Sequence, residues 1–271
     1  MAAPRRKLDL RKTLFLLPNM ITLSSIFCGF DSIRLSATST GDDDYYRASL
    51  LLVYALFFDM LDGRVARFTK TQSAFGLQID SLADVVSFGV APALLVYKWS
   101  LVQKGTVGIV IAFTFVGAAA VRLARFNVLS MNESGTPTKP GKYIIGLPVP
   151  GAAGILISLV VANHAISGDL AGPKYVYPMM GLTCFLAFLM VSTIRFRSFK
   201  DLRPNARTVG LVLFAVASST VVSLQTKPAF VLVWLLGFYV VIGLVETLIA
   251  LPRGLARRRR EAEERSSLPP S

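Results

Sequence analysis

Apolar runs of about 20 residues, separated by short polar connections, recur along this chain from end to end. Eight stand out, at about 15–37, 47–68, 79–99, 106–126, 146–166, 175–195, 208–224 and 229–251. Each is long enough to cross a hydrocarbon core as a helix. Lipid offers the backbone no hydrogen-bond partners, so helices rather than open strands are expected. No internal repeat interrupts the pattern. The pattern therefore predicts an all-α, polytopic membrane helix bundle of about eight transmembrane helices. One domain, residues 15–252, would lie between an N-terminal interfacial segment, 1–14, and a basic tail, 253–271. Residues 4–16, with Leu8, Leu10 and Leu14 among Arg and Lys, read as an amphipathic helix on the inner leaflet. The tail mixes charge with Ser and Pro and reads as disordered.

Composition agrees. Hydrophobic residues make up 53% of the chain and the mean hydropathy is +0.57, values that exclude a soluble domain of this size. The basic N-terminus starts like a signal peptide, but the following apolar run is too long and lacks a small-residue cleavage site, so it reads as retained. Cys28 and Cys184 both fall in apolar segments, which argues against a disulfide framework. His164 stands alone and offers no histidine metal site.

Charge fixes the expected orientation. With the N-terminus inside, the inner segments carry 23 of the 29 basic residues and the outer ones 6, with the acidic run Asp42–Asp44 outside. Both termini are then cytoplasmic by the positive-inside rule. Topology and anionic membrane lipids account for the net charge of +13, and no nucleic acid partner is implied. The expected location is the cell (inner) membrane, multi-pass.

Against this background four acids are out of place. Asp59 and Asp62 close the second run; Asp80 and Asp84 open the third. A carboxylate at bilayer depth costs about 3 kcal/mol or more, so such acids are functional candidates. Spacings of three and four residues put each pair on one helix face. A short turn, Thr69–Phe75, brings the pairs together at the cytoplasmic edge. An oxygen-rich site of this kind suits a hard divalent cation. Gly63, Ala66 and Gly76 are small residues beside the acids, and Arg67 and Lys70 bring positive charge suited to phosphate.

Asp59-x-x-Asp62-Gly63-x-x-Ala66-Arg67, then Gly76-x-x-x-Asp80-x-x-x-Asp84, resembles the signature of the CDP-alcohol phosphotransferase family at every defined position. Those membrane enzymes displace CMP from a CDP-linked alcohol by a second alcohol. The resemblance implies that Asp59, Asp62 and Asp80 bind one or two ions, Mg²⁺ or Mn²⁺. It makes Asp84 the general base, with a share in the second metal. Gly63, Ala66, Arg67, Ser73 and Gly76 fall where the family holds the CDP-lipid. Leu17-Pro18-Asn19-Met20-Ile21-Thr22 is similar to the family's opening segment, which would turn Asn19 and Thr22 to the nucleotide; an N-capped helix start at Asn19 reads equally well.

Three further stretches are similar to the serine-accepting branch, the CDP-diacylglycerol–serine phosphatidyltransferases. They are Arg122-Leu123-Ala124-Arg125-Phe126-Asn127, Gly146–Ala153, and Ser192-Thr193-Ile194-Arg195-Phe196 with Ser198–Lys200. Eight spans also fit that branch. The implied substrates are CDP-diacylglycerol and L-serine, taken among membrane lipids by a homodimer. Serine brings a carboxylate, so Arg122 or Arg125, on one face and three residues apart, is expected to contact it or the lipid phosphate. Pro148 and Pro150 are expected to break or tilt the start of the fifth span and open room there. Glycerol 3-phosphate or an inositol phosphate is the rival acceptor, and a cation-coupled transporter the rival function. Transport would favour acids near the midplane on several helices.

Overall fold

The computed structural model describes residues 10–69, 71, 73–130, 143–197, 218, 219, 222, 225, 227 and 229–245. Helix α1 spans Leu10–Ala37 and α2 Asp42–Phe68. Helix α3, Ala74–Asp84, continues through a π-helical turn, Val85–Val90, into α4, Ala91–Trp99. A 3₁₀ turn, Leu101–Lys104, leads to α5, Gly105–Ser130. Helices α6, Val149–Ala165, α7, Val176–Val191, and α8, Ala229–Val245, follow. Leu16–Ala37, Ala74–Trp99 and Leu101–Leu129 are long and apolar enough to cross a membrane, and α6, α7 and α8 are shorter apolar helices. The chain is a helical membrane protein. The expected span 208–224 lies largely outside the described residues, as do the tail and most of residues 4–16.

The elements depart from expectation in three places. Helix α1 runs through Pro18, so Asn19 is an interior residue and not an N-cap. Pro148 is the N-cap of α6 and Pro150 lies in its first turn. A missing N–H costs nothing there, so these prolines start the helix and do not break it. Finally, β1, Tyr143–Ile145, pairs antiparallel with β2, Arg195–Arg197, placing Ile144 opposite Phe196. This ribbon is the exception to the all-α reading among the described residues. Three-residue strands are too short to show period-two alternation, so the pattern merged them with the adjoining helices.

Small residues let the first helices meet closely, as membrane packing requires. Ser87, in the π turn, donates to the Ser25 carbonyl at 3.0 Å, and Ser25 Oγ donates to the Ala55 carbonyl at 3.3 Å. A Cβ on Gly29 would lie 2.7 Å from Ser87 Oγ and 2.8 Å from Ser87 Cα. Gly29→Ala should therefore overpack the α1–π-turn contact and destabilise the fold by about 1–3 kcal/mol. Thermal unfolding in detergent checks this. Gly117→Ala, which meets open space inside α5, should leave the midpoint unchanged or raised.

At the opposite end of α2 from Asp59 and Asp62, His164 of α6 stacks on Tyr46, with centroids 4.0 Å apart, and lies 3.8 Å from Asp43. Asp42, Asp43 and Asp44 occupy the first turn of α2, where the helix dipole favours negative charge. Asp44 accepts the Thr40 backbone N–H at 2.9 Å and the Thr40 hydroxyl at 3.1 Å, which hold its carboxyl below the usual carboxylate range.

Candidate active site

Helix α2 ends in a tight turn. Thr69 N–H donates to the Val65 carbonyl at 2.9 Å and Thr71 N–H to the Ala66 carbonyl at 3.0 Å. Helix α3 then starts at Ala74, five residues earlier than the pattern suggested, so Asp80 and Asp84 lie in its second and third turns. The antiparallel return brings the two acid pairs together. One oxygen from each of Asp59, Asp62 and Asp80 lies within 4.8 Å of the others. Asp62 is 5% exposed, while Asp59 and Asp80 are half-buried.

Thr22 orients this trio. Its hydroxyl donates to Asp62 Oδ2 at 2.6 Å, a bond joining residues forty apart in sequence, and Asp62 also receives the Gly63 N–H. Thr22 thus holds a carboxylate in place. Groups of this kind are commonly worth 10- to 100-fold in metal affinity. Thr22→Val should weaken metal affinity by about tenfold, and Thr22→Ser should restore it; a metal titration of the purified variants reads both.

Asp84 lies against the trio. Its side chain is hydrogen-bonded to Asp59 and neighbours Asp80, it is 8% exposed, and its Oδ1 has no hydrogen-bond partner among the described residues. Arg122 of α5 is within electrostatic reach of it, is 6% exposed, and sits over the Phe126 ring at 5.3 Å. Arg122 Nε is likewise unpartnered among the described residues. A buried polar atom without a partner costs about 1–3 kcal/mol, so these two atoms, one acidic and one basic and within electrostatic reach of each other, are candidates for contact with a ligand.

The other expected site residues fall into two groups. Asn19 is half-buried one turn before Thr22, Ala66 is half-buried, and exposed Arg67 lies beside Gly63, its Nη1 3.6 Å from where a Cβ would be. Ser73 caps α3 by accepting the Gly76 N–H at 3.0 Å, so these two are engaged with each other. Lys70 lies outside the described residues. Arg125 parts from Arg122: its guanidinium donates to the carbonyls of Val191 at 2.9 Å, Ile145 at 3.2 Å and Ser192 at 3.2 Å. Two residues had no assigned role in the sequence. Asn127 Oδ1 accepts from Ser81 at 3.0 Å, tying α5 to the acid-bearing helix, and Tyr239 of α8 lies within electrostatic reach of Arg122. An aromatic in an apolar run gives no signal of such a neighbour.

A family model for CDP-alcohol phosphatidyltransferases matches residues 15–189, which include all four aspartates. The chain belongs to the CDP-alcohol phosphatidyltransferase family. It is similar to the CDP-diacylglycerol–serine O-phosphatidyltransferase of Helicobacter pylori strain J99, at 34% identity over 252 residues, 92% of this chain and 98% of that protein. The Bacillus subtilis protein of the same name is 33% identical across 68% of this chain and 91% of its own length. The Saccharomyces cerevisiae one is 39% identical across 51% of each. CDP-alcohol phosphatidyltransferases generally use divalent metals. The donor set here fits such an ion: three converging carboxylates, one held by a hydroxyl, with no nitrogen or sulfur among them.

Proposed function

We propose that this protein transfers the phosphatidyl group of CDP-diacylglycerol to the hydroxyl of L-serine, giving phosphatidylserine and CMP. The observation that carries the reading is a three-carboxylate cluster with a fourth buried carboxylate, Asp84, beside it and a buried arginine within its electrostatic reach. Serine-named relatives that align over nearly the whole chain support the choice of acceptor.

Asp59, Asp62 and Asp80 would hold one or two ions, Mg²⁺ or Mn²⁺. Bound there, the metal would supply neutralising charge for the pyrophosphate oxygens and the departing CMP. Asp84 takes the proton from the serine hydroxyl as its oxygen attacks the β-phosphorus. One phosphorus–oxygen bond forms to serine, the phosphorus–oxygen bond to CMP breaks, and the proton passes from Asp84 to solvent. A hydroxyl is a poor nucleophile until its proton has such a destination. Arg122 receives the serine carboxylate, which positions the hydroxyl toward Asp84. Arg67, with Gly63 and Ala66 leaving space beside it, binds a CDP-lipid phosphate; Asn19, Ser73 and Gly76 border the same mouth.

The lipid tails stay in the bilayer. Exposed Phe75 and Leu82, two turns apart on α3, support an approach from the side. Serine arrives from the cytoplasm, consistent with the 23 basic residues counted on that side. The catalytic unit is residues 15–252, with about eight spans, cytoplasmic termini, an inner-membrane location and a homodimeric assembly. A doubly charged phosphate acceptor would call for several converging cations, and Arg125 is already engaged by carbonyls. The acids gather on one hairpin at one end, which does not favour a transport path.

Purified protein supplied with CDP-diacylglycerol, Mn²⁺ and radiolabelled serine should move label into a solvent-extractable lipid. Label that stays aqueous in the presence of all three would contradict the reading.

A further inference from the structure

The three stretches that marked the serine-accepting branch meet at one junction. Gly146 N–H donates to the Ile194 carbonyl at 2.8 Å and Leu147 N–H to the Leu189 carbonyl at 3.0 Å. Arg125 closes the junction from α5, its fork reaching carbonyls at the end of α7 and one in β1. Unpaired carbonyls at a helix C-terminus attract cations, so this guanidinium is held both by hydrogen bonds and by the helix dipole. Gly146 makes the seat possible. Its φ is +80°, and a Cβ there would run into the Met190 carbonyl oxygen and lie 2.8 Å from Arg125 Nη2.

The junction leads back to the site. Ile144 pairs with Phe196, which is fully buried. The Phe196 ring meets the Tyr239 ring with centroids 5.9 Å apart. Tyr239 in turn lies within electrostatic reach of Arg122, as do Asp84 and Arg125. Arg122 therefore has the Phe126 ring 5.3 Å from its guanidinium carbon and Tyr239 within electrostatic reach, and Tyr239 packs on the ribbon that Arg125 fastens.

We infer that Arg125 is a positioning residue and not a substrate ligand: by locking the ribbon to α5 it sets Tyr239, and through Tyr239 the guanidinium of Arg122 that receives the acceptor's carboxylate. The inference rests on the proposed contact between Arg122 and serine. It divides two arginines that sequence spacing treats alike. Arg122 discriminates the acceptor, and Arg125 holds the wall against which it does so.

A double-substitution cycle on the whole chain in detergent tests it, reading serine KM, CDP-lipid KM, kcat and the unfolding midpoint. Arg122→Gln alone reports on the serine contact; an unchanged serine KM would remove that contact and this inference with it. If serine KM rises, Arg125→Gln should also raise it, about tenfold, while CDP-lipid KM stays within about twofold. In the Arg122→Gln background the same change should add nothing to serine KM. Effects that multiply would make Arg125 an independent contact and overturn the inference while leaving the serine contact standing. A loss confined to kcat and the unfolding midpoint, equal in both backgrounds, would reduce Arg125 to general stability and overturn it as well. Gly146→Ala perturbs the same seat without removing charge and should give the same pattern, so the cycle can be read even where Arg125→Gln does not fold.

Discussion

Asp84→Asn should abolish CMP release, by about a thousandfold or more, with CDP-diacylglycerol binding retained within about threefold. A positioned general base contributes roughly 10²–10⁴ in rate, and asparagine keeps the shape of aspartate while refusing the proton. The geometry singles out Asp84 for this role. It is not one of the three carboxylates that converge, lies beside them with a side-chain hydrogen bond to Asp59, and is buried with its Oδ1 unpartnered among the described residues. Because Asp59, Asp62 and Asp80 are untouched in the variant, the metal and the pyrophosphate should still bind. A binding measurement with the CDP-lipid, run beside the turnover assay, separates the two effects. Turnover that survives, or binding that falls in step with turnover, would remove Asp84 from the role of base.

The opposite signature is expected of the trio. Asp59→Asn and Asp80→Asn should each move the metal concentration for half-maximal activity upward by about a hundredfold, since even groups behind the ligands are commonly worth 10- to 100-fold. CDP-lipid binding should weaken alongside, because the ion and not the side chain holds the pyrophosphate. Converting one of three carboxylates whose oxygens converge within 4.8 Å to an amide removes a full negative charge and leaves a weaker oxygen donor. High Mn²⁺ should recover part of the activity in these two variants and none in Asp84→Asn. Metal titrations of activity, run on all three proteins, supply the comparison. If high metal rescued Asp84→Asn as well, the division between ion-holding acids and a proton-accepting acid would fail.

What the sequence made legible was the chemistry carried within helices. Spacings of three and four residues place side chains on a common face whatever the tertiary fold, so spacing alone pairs Asp59 with Asp62 and Asp80 with Asp84. The hairpin that joins the pairs followed from two apolar runs and a short link. Contacts between distant segments were not legible. Nothing local says that the Thr22 hydroxyl reaches Asp62, or that Tyr239 reaches Arg122. The same spacing rule misled for Arg122 and Arg125, which share a face of α5. Their surroundings come from elsewhere: an aspartate on α3 within electrostatic reach of one, the carbonyls ending α7 bonded to the other. Local breakers were over-read too. Pro18 sits inside a helix, and Pro148 and Pro150 begin one. The π turn after Asp84, whose sequence VVSFGV is an ordinary apolar run, had no signal at all.

The most direct test of the account is CMP release by the purified protein with CDP-diacylglycerol, Mn²⁺ and single acceptors: L-serine, glycerol 3-phosphate, an inositol phosphate, or none. Release that requires serine, and that disappears in Asp84→Asn, is the predicted result. Release supported by a phosphorylated acceptor and not by serine would contradict it.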